Sequence, residues 1–458
     1  MTQRNRETDV EPSSSTGGPR REVFGWLMYQ WAFHGFQTTV ATVLFGPYLT
    51  GLAQQAAGEN GRVFALDLVS AVTAKSFFFF CVSLSVLLQA VLLPVLGAIA
   101  DYSHSKKRLL VLTGYSGAGS TCLLFFVGAG LDFRWGGLLF IVANLSLGAT
   151  TVLYNAFLPE IVPPEQRDRV SSRGYALGYL GGGLLLAANL VFMRFAPELG
   201  VPQGRAVRLS LLSAGLWWVG FSLITFRRLK SREAVKARPR GRSYLAMGLS
   251  ELKGTFRELA RLPRTRSYLI AYLFFNDGIQ TVIAVASVFF AQELFVARGR
   301  EVDEAFLLGL MLMVQFVGFA GSLVFERIAI LTGAKKALLF SLAIWSGVVV
   351  YAYWAFQTEA QAWGMAAVIA LVLGGSQALS RSLFSCMIPP HREASFFGIY
   401  EIANSGTSWM GPLLFGLVVS VTNSYRQAVL SLIVLFAIGF LLLLFTDTDR
   451  AIREAGQD

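Results

Sequence analysis

The sequence predicts an all-α membrane protein of twelve transmembrane helices arranged as two pseudo-symmetric six-helix bundles, and three observations predict it. Apolar residues make up 54% of the 458-residue chain and charged residues only 15%, against roughly 25% charged in soluble domains, and the mean hydropathy is +0.55. No soluble globule hides that much apolar surface. Twelve apolar stretches can each cross a hydrocarbon core of about 30 Å, which takes about 20 helical residues. They fall six and six about a basic segment, and the two sets share landmarks at a nearly constant offset.

In chain order, residues 1–22 are polar and rich in Ser, Gly and Pro, and read as a disordered cytoplasmic tail. The N-terminal bundle, residues 23–226, draws its spans from runs without Asp, Glu, Lys or Arg: Val23 to Gly58, Ser76 to Ala100, Leu109 to Leu131, Trp135 to Pro159, Gly174 to Met193 and Leu209 to Phe226. The first run is too long for the apolar core of a cleaved signal and lacks an Ala-x-Ala site. Gly174, Gly178 and Gly182 form a small-residue stripe, which favours close helix packing. Residues 227–266 form a basic linker. Within it Leu245, Leu249, Leu252, Phe256 and Leu259 recur at helical spacing while Lys253, Arg257 and Arg261 fall elsewhere, so an amphipathic helix is expected at the inner membrane surface or docked beneath the bundles. The C-terminal bundle, residues 267–446, uses Ser267 to Gln292, Ala305 to Phe325, Ala337 to Thr358, Ala360 to Ser380, Ala394 to Tyr425 and Gln427 to Thr446; two of these are broken by single acids, Asp277 and Glu401. Residues 447–458 are a second cytoplasmic tail.

The net charge of +11 raises nucleic acid as a partner, and its distribution removes it. With a cytoplasmic N-terminus, 30 of the 39 Lys and Arg fall on the inner side, as the positive-inside rule requires. The basic residues therefore belong to cytoplasmic loops and anionic lipid headgroups. Three cysteines (Cys81, Cys122, Cys386) and three histidines (His34, His104, His391) are too few and scattered for a disulfide framework or a metal site. No cofactor is expected, and a monomer is.

The halves repeat. Gly97-Ala-Ile-Ala-Asp101 with Lys106, Lys107 and Arg108 follows the second span; Gly321 with Glu326, Arg327, Lys335 and Lys336 follows the eighth, at offsets of 224 and 225. Val162-Pro163-Pro164 and Ile388-Pro389-Pro390 follow the fourth and tenth at an offset of 226. A parallel duplication of six spans suits transporters that rock two halves about a midplane site. Gly97 to Arg108 resembles the loop signature of the major facilitator superfamily, with a degenerate copy at Gly321 to Lys336. Trp26-Leu-Met-Tyr29-x-Trp31-Ala32, Tyr154-Asn155-Ala156, Gly178-Tyr-Leu-Gly181-Gly182-Gly183, Asn276-Asp277-Gly278-x-Gln280-Thr281, Gly374-Gly375-x-Gln377-Ala-Leu-Ser380-Arg381-Ser382 and Gly411-Pro412-Leu-Leu-Phe-Gly416 are similar to the branch of the fungal vacuolar amino-acid effluxer of autophagy and its bacterial relatives. The first helix departs from that branch, reading Tyr29-Gln30-Trp31-Ala32-Phe33-His34 where Tyr-Asp-Trp-Ala-Asn-Ser is usual. The resemblance implies efflux of a small molecule, with amino acids or related metabolites as candidate cargo, and lipid-facing third, sixth, ninth and twelfth helices.

Charged side chains at membrane depth cost about 2.5 to 3.5 kcal/mol on insertion scales, so polar ones should face a cavity or a partner helix. Gln30, His34 and Gln37 share one face of the first span, and Asn276, Asp277 and Gln280 cluster in the seventh. His34 and Asp277 each lie about 15 Å inside their spans at 1.5 Å per residue. The repeat makes them equivalent, so they are expected to face each other across a central cavity as a pH-responsive pair; a neutral imidazole satisfied by its neighbours and a structural carboxyl hub are the alternatives. Glu401, Asn404, Ser405 and Ser408 share a face of the eleventh span, and Gln377 and Arg381 sit one turn apart in the tenth. An Arg381–Glu401 interhelical pair is expected, as latch or substrate contact, and Asn155 joins the candidate substrate and coupling residues. Asp101, Lys106, Lys107 and Arg108, with Glu326, Arg327 and Arg381, are candidate gating residues, since an acid placed four residues after a glycine and before a basic run fits a charge-assisted latch.

No phosphate-binding loop, His-Glu-x-x-His or Gly-x-Ser-x-Gly motif occurs, so ATP hydrolysis in cis and the common hydrolase chemistries are excluded. The chain reads as a secondary transporter rather than an enzyme, moving a small molecule, with protons as candidate coupling ions, across a bacterial plasma membrane in preference to a vacuolar one. A non-transporting receptor or scaffold is the competing class.

Overall fold

The computed structural model describes residues 17–58, 61–63, 72–74, 76–102, 106–128, 130, 132–231, 244–406 and 410–456. Most of the expected N-terminal tail, the middle of the basic linker and Ser408 lie outside them. The first helix begins at Gly17, ahead of the Val23 boundary. It runs as α1 (Gly17–Gly35), a π-helical stretch (Phe36–Leu44) and α2 (Phe45–Ala57). The N-terminal half continues with α3 (Phe77–Tyr102), α4 (Lys106–Leu123), α5 (Phe133–Ile161), α6 (Pro164–Phe195) and α7 (Gln203–Arg228). The linker holds α8 (Tyr244–Arg261). The C-terminal half comprises α9 (Pro263–Leu294), α10 (Glu304–Thr332), α11 (Ala334–Trp354), α12 (Glu359–Ser385), α13 (Glu393–Glu401), a second π-helical stretch (Ile402–Gly406), α14 (Met410–Thr422), α15 (Tyr425–Ser431) and α16 (Ile433–Phe445), followed by α17 (Thr448–Glu454).

Ten of these helical segments are long and apolar enough to cross a membrane, and they coincide with the second to tenth and the twelfth expected spans. The first and eleventh are the two interrupted by π-helical turns, which insert a residue into the ladder and tend to mark functional positions. Their apolar length survives, but in pieces. Local chemistry sets the ends: Asp132 caps α5 through the Arg134 amide at 2.8 Å, Thr358 and Gln361 form a reciprocal cap on α12, and Pro164 and Pro263 open α6 and α9. Each arrangement satisfies or removes an orphan amide.

Within the first half α1 packs on α6 and α7, and α4 on α5 and α7; within the second α10 packs on α12, and α9 on α16. The glycine stripe makes the α1–α6 contact close: a Cβ on Gly178 would lie 2.8 Å from both Gln30 and His34, and one on Gly182 2.6 Å from Thr38. Two seams join the halves, α6 against α10 and α12, and α3 against α13. At the second seam backbones meet. A Cβ on Gly97 would overlap the Ala394 carbonyl, and one on Gly398 would lie 2.8 Å from Pro94.

Asp101, Lys106, Glu160, Glu258, Arg392 and Ala394 gather at one end of the molecule, here called the basic end. There α8 packs against α3 and α13 with Thr255 and Leu259 buried, while Phe256, expected on its apolar face, is exposed. Arg392 ties it down, reaching the Glu258 carboxylate at 3.0 Å and the Thr255 hydroxyl at 2.8 Å.

Candidate functional site

A cavity of about 420 Å³ lies between the halves. Of the residues singled out from sequence, Gln30, His34, Gln37, Asn155, Gln280, Gln377, Arg381 and Glu401 all line it, along with Asn404. They converge because α1, α5, α9, α12 and α13 each turn a polar face inward. Aliphatic and aromatic side chains, among them Phe33, Leu186, Phe290 and Leu373, cover the rest of the wall. A mostly apolar pocket with a few placed polar groups is the usual form of a small-molecule site.

Arg381 dominates the narrow end. Its side chain is 2% exposed. The Nε donates to the Ser171 hydroxyl at 2.9 Å, Nη2 to the Ser171 carbonyl at 2.9 Å, and Nη1 to Asn155 Oδ1 at 3.3 Å and Gln30 Oε1 at 3.4 Å. Its guanidinium carbon stands 4.3 Å from the ring centre of Tyr175 and 4.9 Å from that of Trp26, within cation–π range. All of these partners belong to the other half. The expected Arg381–Glu401 pair is thus corrected: the guanidinium turns across the interface, and Glu401 accepts from Asn404 Nδ2 at 2.9 Å. Geometry explains the choice, since Ser171 offers two acceptors at good distance and the rings of Tyr175, Trp26 and Tyr154 face the guanidinium.

His34 faces the cavity. Its Nε2 is 3.0 Å from the Gln30 amide, and its ring meets Tyr175 and Tyr179 edge to face. Asp277 does not join it. That side chain is fully buried, Oδ2 accepts from the Gly411 amide at 2.6 Å, and Oδ1 has no hydrogen-bond partner among the described residues. Its neighbour Gly278 lies against Leu435 and Phe436 of α16. The apposition of His34 and Asp277 is therefore corrected: Asp277 serves the restart of the broken eleventh span, because equal depth along a helix says nothing about which face a residue occupies. Asn276 sits one layer behind the wall, donating to Asn404 at 3.2 Å.

Several polar lining residues escaped the sequence reading, among them Tyr175, Tyr179, Gln89, Asn144 and Gln315. Tyr175 and Tyr179 repeat at i, i+4 on α6 beside the glycine stripe, and Tyr179 donates to Gln377 across the interface at 2.9 Å. Gln89 and Asn144 are amides inside otherwise apolar spans, and Gln89 donates to the Asn144 carbonyl at 2.8 Å. The rule that polar groups at membrane depth mark cavities would have found both amides.

Beyond Arg381 the basic end is closed by further bonds between the halves. Asp101 Oδ1 accepts from the Ala394 amide at 2.9 Å and Oδ2 from the Ser395 amide at 2.7 Å, so α3 caps the start of α13. Lys106 bridges Asp101 and Glu160. Burial pushes the Glu393 carboxyl above the usual carboxylate range, with Lys106 pulling it back. Glu326 faces Arg173 at 3.4 Å and Arg169 at 3.6 Å. Arg167 donates to the Ser385 carbonyl and Ser382 to Asp168. Lys107 is half-buried, whereas Arg108 and Arg327 are exposed and stand apart from these clasps. Among the described residues, the side-chain hydrogen bonds and ion pairs between the halves run from Tyr179 to the basic end.

A helical architecture with ten membrane-crossing segments among the described residues, packed around a polar cavity that is clasped at one end, defines a multi-pass transporter of the major facilitator type. The comparisons place it further. Residues 18–456 match the family described as vacuole effluxer Atg22 like, and the chain belongs to that family. It is 29% identical to an uncharacterized MFS-type transporter, YxiO, of Bacillus subtilis, over 93% of this chain and 95% of that one. It is 26% identical to autophagy-related protein 22 of Yarrowia lipolytica over 84% of this chain and 77% of that one. In fold it resembles the Escherichia coli fucose:proton symporter, with a TM-score of 0.65 at 13% identity over 93% of this chain and 98% of the symporter. A bacterial homologue of the iron transporter ferroportin in an outward-facing state superposes with a TM-score of 0.63, again at 13% identity and 93% and 98% coverage.

Proposed function

We propose that the chain is a secondary active transporter that expels a small polar organic molecule, an amino acid or related metabolite, by alternating access of its two halves. One observation carries the reading: the polar cavity lies on the boundary between the halves and is closed at one end by bonds that run between them. Rocking that breaks those bonds would move the opening from one end to the other around fixed cargo. On this reading the basic end, which carries many of the Lys and Arg, faces the cytoplasm, and its closure corresponds to an outward-facing state. The 29% identity to the Bacillus subtilis transporter over 93% of the chain favours a bacterial plasma membrane.

Within the cavity Gln30, His34, Gln37, Asn155, Gln280, Gln377 and Glu401 would contact cargo, with Asn276 holding Asn404 and Glu401 from behind. Arg381, Asp101, Lys106 and Glu326 would act as gates. His34 and Glu401 are the titratable groups placed to link transport to protons.

Purified protein in liposomes preloaded with an equimolar amino-acid mixture should release at least one component faster than empty liposomes, with a rate that responds to an imposed pH gradient. Ligand binding without any flux would favour a receptor.

A further inference from the structure

Among the described residues, the Arg381 guanidinium is a buried cation with no carboxylate within ion-pair distance. Its acceptors are a hydroxyl, a backbone carbonyl and two side-chain amides, and its charge otherwise meets aromatic faces. Buried charges are ordinarily paired, because an unpaired one forfeits hydration without Coulombic return. The bonds are also unequal. Nε and Nη2 hold Ser171 at 2.9 Å, while Nη1 reaches Asn155 and Gln30 only at 3.3 and 3.4 Å. Gly174 leaves the room this needs, since a Cβ there would lie 3.0 Å from Trp26 and 3.3 Å from Nη2. Arg381, Gln30 and Asn155 all line the cavity, so the loosely held edge is the one cargo meets.

We propose that Arg381 is at once the lock between the halves and the subsite for a carboxylate on the cargo, so that anion and lock compete for one guanidinium: a bound carboxylate holds the basic end open, and re-forming the lock on Ser171 displaces the anion toward the other side. This rests on the transport reading above and adds how occupancy reaches the gate. A carboxylate arriving in the cavity replaces the two long amide bonds with charge-assisted ones. Its best geometry is a two-point contact with the fork, and the fork is committed to Ser171 while the halves are locked. The anion is therefore bound more tightly once Arg381 lets go, and a ligand that prefers one state shifts the population toward it. Because Arg381 rides on α12, the anion would stay with the C-terminal half as the halves part.

The test uses full-length protein in nanodiscs, with its three cysteines replaced and spin labels at Arg227 and Lys336, exposed basic-end residues of opposite halves. The probes are the twenty L-amino acids, each beside its carboxamide. At least one amino acid should lengthen the label distance while its carboxamide binds at least about tenfold more weakly, as loss of one partner of a desolvated charge pair entails. Arg381→Gln should lengthen the distance without ligand and reduce the acid-to-amide preference to near unity. Arg381→Lys, which keeps a charge, should retain part of that preference and guards against a variant that fails to fold.

Equal acid-to-amide preference in wild type and Arg381→Gln would leave Arg381 a lock alone and overturn the inference. So would a wild-type distance that no acid moves while Arg381→Gln does. The transport reading fails separately, by absence of liposome flux for every probe.

Discussion

Asp101 and Glu326 occupy equivalent positions in the two repeats, yet their carboxylates are held differently. The Asp101 side chain is 2% exposed and caps two backbone amides of α13. Glu326 reaches Arg169 and Arg173, whose side chains are 56% and 45% exposed. The first contact is desolvated and aimed at groups that cannot rotate away; the second joins a carboxylate that is only 8% exposed to long arginines that reach into solvent, are partly screened and can swing away. Duplication thus placed an acid at each seam, but only the first lies where backbones meet, with Gly97 against Ala394. Clasps equivalent by descent need not be equal in energy, because burial and the stiffness of the acceptor set what each contributes.

The comparison is most directly broken by Asp101→Asn. The amide would present its own donors to one of the two amides of α13, and losing a charge-assisted bond there should cost about 2 kcal/mol, a roughly 30-fold shift toward the state open at the basic end. The Arg227–Lys336 label distance reads that shift, and cargo affinity measured in the same sample should change far less. Gly97→Ala comes next. Its methyl group forces α3 from α13 at a cost of about 1 to 2 kcal/mol, as overpacking does, and should lengthen the distance without altering any charge.

Glu326→Gln should shift the population less than Asp101→Asn does, by about 1 kcal/mol, because the arginines facing the buried carboxylate are themselves solvated and screened. Raising salt from 0.1 to 1 M should reproduce that small effect in wild type while leaving the Asp101 clasp intact, since screening acts on exposed pairs. The smallest change is expected for Arg173→Gln, because Arg169 still faces the same carboxylate; a few tenths of a kcal/mol is all an exposed pair with a standby partner should yield. A response to Glu326→Gln equal to that of Asp101→Asn would show that exposure does not grade the two clasps.

Periodicity and charge were enough to read most of the helices, their order and the existence of α8, because those features are written in spacing along one chain and answer to the thickness of a bilayer. The polar residues of the cavity were legible for the same reason: Gln30, His34, Asn155 and Gln377 lie at a depth where polarity must find company. Which company was not written there. Arg381 lay one turn from Gln377 and near Glu401 in depth, yet it crosses to Ser171 and the rings of Trp26 and Tyr175. Asp277 matched His34 in depth and by repeat, yet it turns away to Gly411. A sequence specifies how far along a helix a side chain sits; the rotation of that helix, and therefore its neighbours, is decided by packing against every other helix at once.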